Sequence, residues 1–512
     1  MWTRSAWGYY RREGAPWRRY IETAAVFTRV HQMKKITEYL REKYGKWGWL
    51  GQRAHDAAGI NNVLPLDFIV SCDYGADVPV YFREEDVFSI EKRNKIRKDW
   101  SNEHLKRSLQ GAMGRDVFKK WGDCGKNINI LCYRSLRKLE KDNRMLSARP
   151  FICAVPELLK RRFDNKVALC KKLPALSVST IPCRVVQLGK VNFKELWKDL
   201  LLPFVIQFPY GSSGKFTFII KGEKEFKDLS RKYIGQVVTA REYVNGFSIN
   251  VNGIIVSGAD GPKTFCSFPA IQIVGAPECS NFPTSFCGND YASTRGINKD
   301  IIKKVEAAVK VMGLWMSEQG FRGIFGIDLV TDGENVYPIE INPRFQNSTS
   351  LYTVLESIQK PDMDPLFLLH IAEFLQDKDK VLRGYVEKFS YDGLMSPVSG
   401  SQVIIHNRMR RSSVTGKLTP GVYRFKKGKF EKAAEGASLT DVVAMEDILI
   451  TCGVPKMLTI VEPNAPICKI QTLGPVLEQG SGKTLSESIK MAISCVYDGL
   501  KLKEADKAKV TV

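Results

Sequence analysis

The sequence lacks the patterns that build metal and disulfide scaffolds. Its 512 residues hold five histidines and 12 cysteines, with no CxxC or HxxxH spacing. Structural zinc needs such clustered ligands, so a zinc module is not expected. Cys279 and Cys287 fall in one loop-like stretch, but no second pair matches them. The cysteines therefore read as buried, reduced thiols, which points to a cytoplasmic protein and away from a disulfide framework. No apolar run approaches the roughly 18–20 residues of a membrane-spanning helix. The densest stretch, 200–208, is broken by Pro203 and Gln207. The first residues carry arginine and tryptophan where a signal peptide has an apolar core, which argues against secretion. No internal repeat or low-complexity tract occurs.

What is present is a chain able to bury several cores, with 44% hydrophobic and 26% charged residues. The length allows three or four domains, or two with insertions. Charge is uneven: the net formal charge is +22, and residues 1–170 hold 34 basic against 20 acidic side chains. This excess has two readings. One is an anionic partner, whether nucleotide, nucleic acid or anionic lipid. The other is a solvated basic face.

Four segments are expected. Residues 1–60 read as a basic, Trp-rich helical extension, with five of nine tryptophans before residue 50 and an amphipathic helix over 20–44 stopped by Gly45. Such an arm packs on its own domain or a partner subunit; a membrane-surface or nucleic-acid element is the alternative. Over 61–164, short apolar runs at 66–70, 128–132 and 151–155 alternate with charged helical stretches, as in a small open α/β sheet. From 165 to 385, strands and glycine-marked hairpins dominate, with a helix over 299–318 and two strands, 323–330 and 336–341, joined through Asp332-Gly333. Residues 386–512 read as a β-rich domain ending in a helix near 485–497.

Two features carry chemistry. In the loop Pro209–Lys215, glycines let backbone N–H groups converge on an anion, serines add donors and Lys215 adds charge. In the hairpin, Glu340 and Asn342 share a strand face. Asp328 falls nearly opposite Glu340. Ile327, Leu329, Ile339 and Ile341 turn to the other side. Two carboxylates and an amide oxygen on one patch are hard ligands suited to Mg²⁺. A solvated polar face with an Arg344–carboxylate pair is the plainer alternative.

Loop and hairpin together resemble the ATP-grasp superfamily over roughly 165–350. Asn165-Lys166, then Ile181-Pro182, is similar to the family's opening segment. Pro203–Gly214 resembles its strand and phosphate-covering loop, and Arg241–Gly246 its adenine hinge. Phe321–Asp328 and Glu340-Ile-Asn342-Pro-Arg344 are similar to its metal strands, the most specific of these motifs. The resemblance implies an α/β (α+β) chain: a pre-domain, an ATP-grasp domain of two α+β subdomains and a C-terminal β-rich domain. It implies ATP and Mg²⁺, or Mn²⁺ in its place. Lys166 would contact the phosphates. Glu242, Tyr243 and Val244 would meet adenine, and Gly211, Ser212, Ser213 and Gly214 would cover the phosphates. Asp328, Glu340 and Asn342 would hold the metal, and Arg344 would stabilise the transferring phosphoryl group.

Two positions depart from the pattern. Gln207 stands where the family usually has lysine, and Ser248 where a carboxylate often grips the ribose. Lys215 could replace some of the lost charge. Gly480-Ser-Gly-Lys-Thr484 imitates a Walker loop but has Leu477 where that loop needs glycine. It reads as a turn opening the last helix, with Thr484 as N-cap.

The resemblance implies a ligase joining a small-molecule carboxylate to an amine through an acyl phosphate. The alternatives are a thiol or bicarbonate acceptor, or a nucleotide- or nucleic-acid-binding protein without turnover. No biotin-carrier Met-Lys-Met motif is present, which counts against a self-contained carboxylase. Substrate choice is expected in 263–296, a polar, irregular stretch, with Lys263 and Arg295 as carboxylate partners. A surface excursion is the alternative for that stretch. A homodimer is also expected from the family.

Overall fold

The computed structural model describes residues 36–123, 128–135, 151–211, 214–391, 393–426 and 428–505. The first layer is a five-stranded parallel sheet. Its strands are β1 (Lys46–Leu50), β2 (Phe68–Ser71), β3 (Val87–Ser89), β4 (Ile128–Cys132) and β5 (Phe151–Cys153), in the order β3-β2-β1-β4-β5. Both faces are covered, so the inner strands are continuous apolar runs with no alternation. Trp47, Trp49, Ile69 and Leu131 face one core, and Phe68, Val70, Ile130 and Trp121 the other.

This differs from an extension running to residue 60. β1 is the central strand, and Trp47 and Trp49 are fully buried. Two tryptophans separated by glycine look like a surface aromatic element in sequence, yet they share one strand face and fill a core. Residues 36–44 are helical, with Ile36 and Leu40 buried. The rest of the expected 20–44 helix, with Trp2, Trp7 and Trp17, lies outside the described residues.

Next comes a small antiparallel sheet of β6 (Cys183–Gln187), β7 (Phe204–Gln207), β8 (Thr217–Ile220) and β9 (Val237–Glu242), in the order β6-β9-β7-β8. Two short helices, Phe193–Asp199 and Glu223–Lys232, pack Phe193, Leu196, Phe226 and Leu229 on Phe204, Ile206, Val238 and Ala240. Strand periodicity then turns Val205, Gln207, Thr239 and Arg241 to the opposite face. Cys170 of α1 (Lys166–Lys172) forms a disulfide with Cys183 at the start of β6. This corrects the expectation of reduced thiols for that pair: helix and strand, 13 residues apart, bring the two Cα atoms within 6.6 Å. Nine other described cysteines are free, and eight of them are buried.

The third layer is a long sheet. It contains β10 (Phe247–Gly258), β11 (Gly261–Cys266), β12 (Ala270–Val274), β13 (Phe286–Asp290), β14 (Gly323–Thr331) and β15 (Val336–Asn342). It continues through β16 (Ser401–His406), β17 (Gly421–Lys426), β18 (Lys429–Ala434), β19 (Ile448–Thr451) and β20 (Pro466–Thr472). The order is β15-β14-β10-β12-β13-β16-β20-β19-β17-β18, with β11 paired to β10. The sheet thus runs across the expected boundary at 386. Pairing with β16 satisfies the free edge of β13.

The helix α2 (Lys299–Glu318) is started by the Asn298 side chain, which accepts from the Asp300 N–H at 2.9 Å. Its buried Val305, Val309, Met312 and Met316 cover β10, β14 and β15. Two further helices follow: α3 (Asn347–Gln359) packs Leu351, Tyr352 and Leu355 with Ala270, Val422 and Leu449 of the long sheet, α4 (Leu366–Leu375) joins the core of Trp47, Trp49 and Leu131, and α5 (Glu487–Leu500) closes the chain's C-terminal core. Ser486, not Thr484, stands at the N-cap position of α5, without a side-chain capping hydrogen bond. Thr484 is held one turn earlier by Ser481 Oγ, which accepts its N–H at 2.8 Å. Among the described residues, no helix is long and apolar enough to cross a membrane.

Candidate active site

The small sheet, the β14–β15 hairpin and the loops after β1 and β4 enclose a cavity of about 360 Å³. The loops come from the carboxyl ends of parallel strands, where α/β sheets place ligand sites.

The hairpin supplies the acidic wall. Asp328 pairs directly with Glu340 across the ladder, and Gly326 with Asn342. The register then slips by one residue, so Leu329 faces Pro338. Ile339 is the extra residue of this bulge. It lines the cavity instead of joining Ile327, Leu329 and Ile341 in the core, which corrects its expected orientation. Bulges re-aim side chains in this way.

Asp328 is tied down on both oxygens. Oδ1 accepts from Asn250 Nδ2 at 2.6 Å and Gln272 Nε2 at 2.9 Å, and Oδ2 from Asn342 Nδ2 at 3.1 Å. Asn250 is in turn fixed by Gln346 Oε1 at 2.6 Å. Gln346 fits there only because residue 326 is glycine: a Cβ at that position would lie 1.8 Å from its amide carbon. Burial, then the facing Glu340 charge, push the Asp328 carboxyl up to about 6.

Glu340 is balanced by Lys166, whose Nζ lies 2.9 Å from Oε1. That lysine is 5% exposed, sits at the first turn of α1 and also donates to the Gly211 carbonyl at 3.3 Å. Asn165 caps the helix, accepting the Ala168 N–H at 3.0 Å. Arg344 donates to Asn342 Oδ1 at 2.7 Å and to Tyr133 Oη at 3.0 Å.

No group of three His, Cys, Asp or Glu side chains that could hold a metal occurs among the described residues. Mg²⁺ binding through one or two carboxylates, an amide oxygen and substrate phosphates needs no such group. The residues fit that pattern: Asp328 carries a carboxylate whose charge is disfavoured without a cation, and Glu340 stands opposite it.

Glu242 ends β9, Tyr243 and Val244 follow it, and all three line the cavity together with Phe247 and Ser248 of β10. Gln207 faces the cavity and donates to Thr217 Oγ1 at 3.2 Å. On the same face Arg241, 3% exposed, donates to the Ile339 carbonyl at 3.2 Å, while its Nε and Nη2 have no hydrogen-bond partner. Burial lowers its pKa to about 10, so it is charged at neutral pH.

Gly214 lies against the 283–284 segment. Its φ is +75°, and a Cβ would meet the Thr284 carbonyl oxygen at 1.6 Å, so only glycine fits. Thr284 Oγ1 donates to the Gly214 carbonyl at 3.0 Å. Ser212 and Ser213 lie outside the described residues.

Five of the expected residues do not line the cavity: Lys166, which reaches it only through its pair with Glu340, and Gly211, Lys215, Lys263 and Arg295. Lys263 on β11 pairs with Glu387 at 2.9 Å. Arg295 is exposed on the short turn after the helix Tyr291–Thr294. The polar 289–291 stretch is core: Asn289, Asp290 and Tyr291 are fully buried, and Asp290 accepts from Val476 and Leu477 N–H at 2.9 and 3.0 Å. Its polar residues pair across the sheet with the C-terminal strands, a contact local texture cannot reveal. Lys215 is spent at the rim, paired with Asp99. Gln272, Val274 and Thr284 do line the cavity, as do Gly482 and Lys483 of the Walker-like turn. Sequence reading missed Gln52, Arg53, Tyr133 and Arg134, and gave Arg241 no role of its own within the segment it opens. Strand–loop positions after β1 and β4 were the available signal.

Two α+β units thus face one cavity, with the Asp328–Glu340 pair, the Lys166 partner of Glu340 and the end of β9 around it. Residues 163–348 match the ATP-grasp domain family, and this part of the chain is an ATP-grasp domain. Sequence comparison with curated proteins finds no match. The fold is similar to carboxyaminoimidazole ribonucleotide synthase from Aspergillus clavatus complexed with ATP, at 12% identity and TM-score 0.50, covering 89% of this chain and 98% of that one. It is similar to phosphoribosylamine–glycine ligase from Thermotoga maritima, at 13% identity and TM-score 0.50, over 87% and 96%. It is also similar to the biotin carboxylase domain dimer of Hydrogenobacter thermophilus 2-oxoglutarate carboxylase, in complex with MgADP, ADP and bicarbonate. There the identity is 12% and the TM-score 0.51, over 84% and 86%. At these identities the likeness is one of fold.

Proposed function

We propose that the protein is an ATP-dependent ligase that activates a carboxylate as an acyl phosphate and joins it to an amine, releasing ADP and phosphate. The observation that carries this reading is the convergence of Asp328, Glu340, Asn342 and Arg344 on one cavity, with Lys166 paired to Glu340 beside it and residues 242–244 also in its lining.

A free carboxylate has a poor leaving group and does not acylate amines at neutral pH. Its oxygen attacks the γ-phosphorus, the bond to the β-phosphate oxygen breaks and ADP leaves. The amine then attacks the acyl carbon, phosphate departs and the amine loses a proton. Asp328, Glu340 and Asn342 would hold Mg²⁺, which spreads the charge of the transferring group. Lys166 turns from Glu340 toward the phosphates. Arg241 supplies the cation that Gln207 does not. Arg344 holds the acid and the developing charge beside Asn342. Gly214, laid on Thr284, helps to exclude water from the acyl phosphate. Positioning accounts for most of the rate, so no general base is assigned.

A cytoplasmic location and a homodimer belong to the same reading. Nucleotide binding without turnover is the second reading, supported by Gln207 and Ser248 at positions where stronger nucleotide partners are common. ADP formation that requires an acid and an amine together tests the first against the second.

A further inference from the structure

The ligase mechanism uses one arginine at the acid end of the cavity, yet three line it. Arg53 follows β1, Arg134 follows β4 and Arg344 follows β15. Tyr133 joins two of them. Arg344 Nη1 donates to Tyr133 Oη at 3.0 Å, and the guanidinium carbons of Arg344 and Arg134 lie 5.3 and 5.8 Å from its ring centre. Arg53 donates to Asn347 Oδ1, three residues beyond Arg344.

No carboxylate pairs directly with this group among the described residues; burial opposes the Arg53 charge, and the nearby Asp56 and Asp99 charges outweigh it and raise its pKa. Among the described residues, none of the three arginines makes an ion pair, and the Nε atoms of Arg134 and Arg344 are buried without a hydrogen-bond partner. Asp56, behind the cluster, is 3% exposed with neither oxygen hydrogen-bonded, and burial raises its pKa. Asp99, which also lines the cavity, is paired with Lys215. Burial, reinforced by Arg344, lowers the Arg134 pKa to about 10, which still leaves it charged at neutral pH.

Three guanidinium groups gathered in a partly desolvated site repel one another until an anion enters. Each offers a planar fork matched to a carboxylate or phosphate. A single reacting carboxylate needs the fork of Arg344; the other two are left for a second anionic group.

We infer that Arg53, Arg134 and Arg344 form an anion clamp selecting an acid with a second anionic group, so the substrate is a dicarboxylate or a phosphorylated acid. This rests on the ligase reading of the cavity. The shared chemistry is two anionic groups on a short carbon chain, and the two sources are separable by probe.

The test is calorimetry on the full chain with Mg²⁺ and a non-hydrolysable ATP analogue present, titrating acetate, succinate and 2-phosphoglycolate. The expected result is that succinate or phosphoglycolate binds at least about 10-fold tighter than acetate, corresponding to one added charge-assisted contact. The tighter of the two names the second anion. Arg134→Gln and Arg53→Gln should each weaken that dianion on the order of 30-fold while leaving the analogue's affinity unchanged. Arg134→Lys, which keeps the charge without the fork, should fall between. Circular dichroism identifies a variant that fails to fold, and the other arginine then carries the test. Equal affinity for all three acids, or unchanged dianion affinity in folded Arg134→Gln and Arg53→Gln, overturns the clamp. If the analogue does not bind but the dianion still does in an Arg134-dependent way, the clamp stands and the ligase reading falls.

Discussion

Replacing Asp328 by Asn should make the metal-free protein more stable while destroying its function. Burial and Glu340 hold the Asp328 carboxyl at about 6, against an ordinary value of 3.8. The folded state therefore keeps a proton that the unfolded chain releases between those two values. The resulting penalty is absent below the unfolded value, grows as pH rises and is complete above pH 6. At about 1.36 kcal/mol per unit, it reaches roughly 3 kcal/mol at pH 7.5 and about half that at pH 5. An Asn side chain removes the charge, keeps the contacts from Asn250 and Gln272 and sets two amide groups against each other at Asn342, costing about 1 kcal/mol. The net gain is then about 2 kcal/mol at pH 7.5 and about 0.5 kcal/mol at pH 5. For a cooperative unit of this size, the larger gain corresponds to roughly 4–8 °C in Tm. Thermal unfolding in EDTA at both pH values reads the effect, and Mg²⁺ with nucleotide should then stabilise only the parent protein. A variant less stable than the parent at pH 7.5, or equally shifted at both pH values, would refute the reasoning.

Other changes follow from the same geometry. Lys166→Met removes the partner of Glu340 and the proposed phosphate contact, and should lower kcat/KM for ATP on the order of 100-fold; steady-state kinetics checks this. Arg241→Gln should weaken Mg·ATP binding by about 10-fold or more, and adding Gln207→Lys should restore part of the loss, because both side chains face the cavity from adjacent strands; calorimetric titration of ATP into the two variants decides it. Arg295→Ala and Lys263→Ala should leave KM for both substrates within about twofold. Losing the part-exposed Lys263–Glu387 pair should leave a denaturant titration almost unchanged.

Local pattern carried the reading wherever structure is local. The helix over 299–318 is bounded by an Asn cap and a glycine, and the structure has those limits. Strand periodicity and a short turn put Asp328 close to Glu340 on the neighbouring strand, and the bulge at Ile339 makes the pairing direct. Readings failed where distant partners decide. Trp47 and Trp49 look like a basic–aromatic surface until β2 and β4 flank them. Asn289 and Asp290 look like loop residues until β16 pairs with β13. Arg295 and Lys263 lie near the site in sequence but project from the wrong elements, whereas Arg53 and Arg134 reach it from a separate sheet. Ile339 escaped because one bulge residue reverses a strand's facing, and periodicity contains no sign of a bulge.

The most direct measurement is ADP release from Mg²⁺ATP against carboxylic acids and amines, singly and in pairs, with Glu340→Ala alongside. The ligase account predicts release that needs a pair and disappears in the variant, with acids carrying two anionic groups the productive partners. Release with no acid present, or release unchanged in Glu340→Ala, would contradict it.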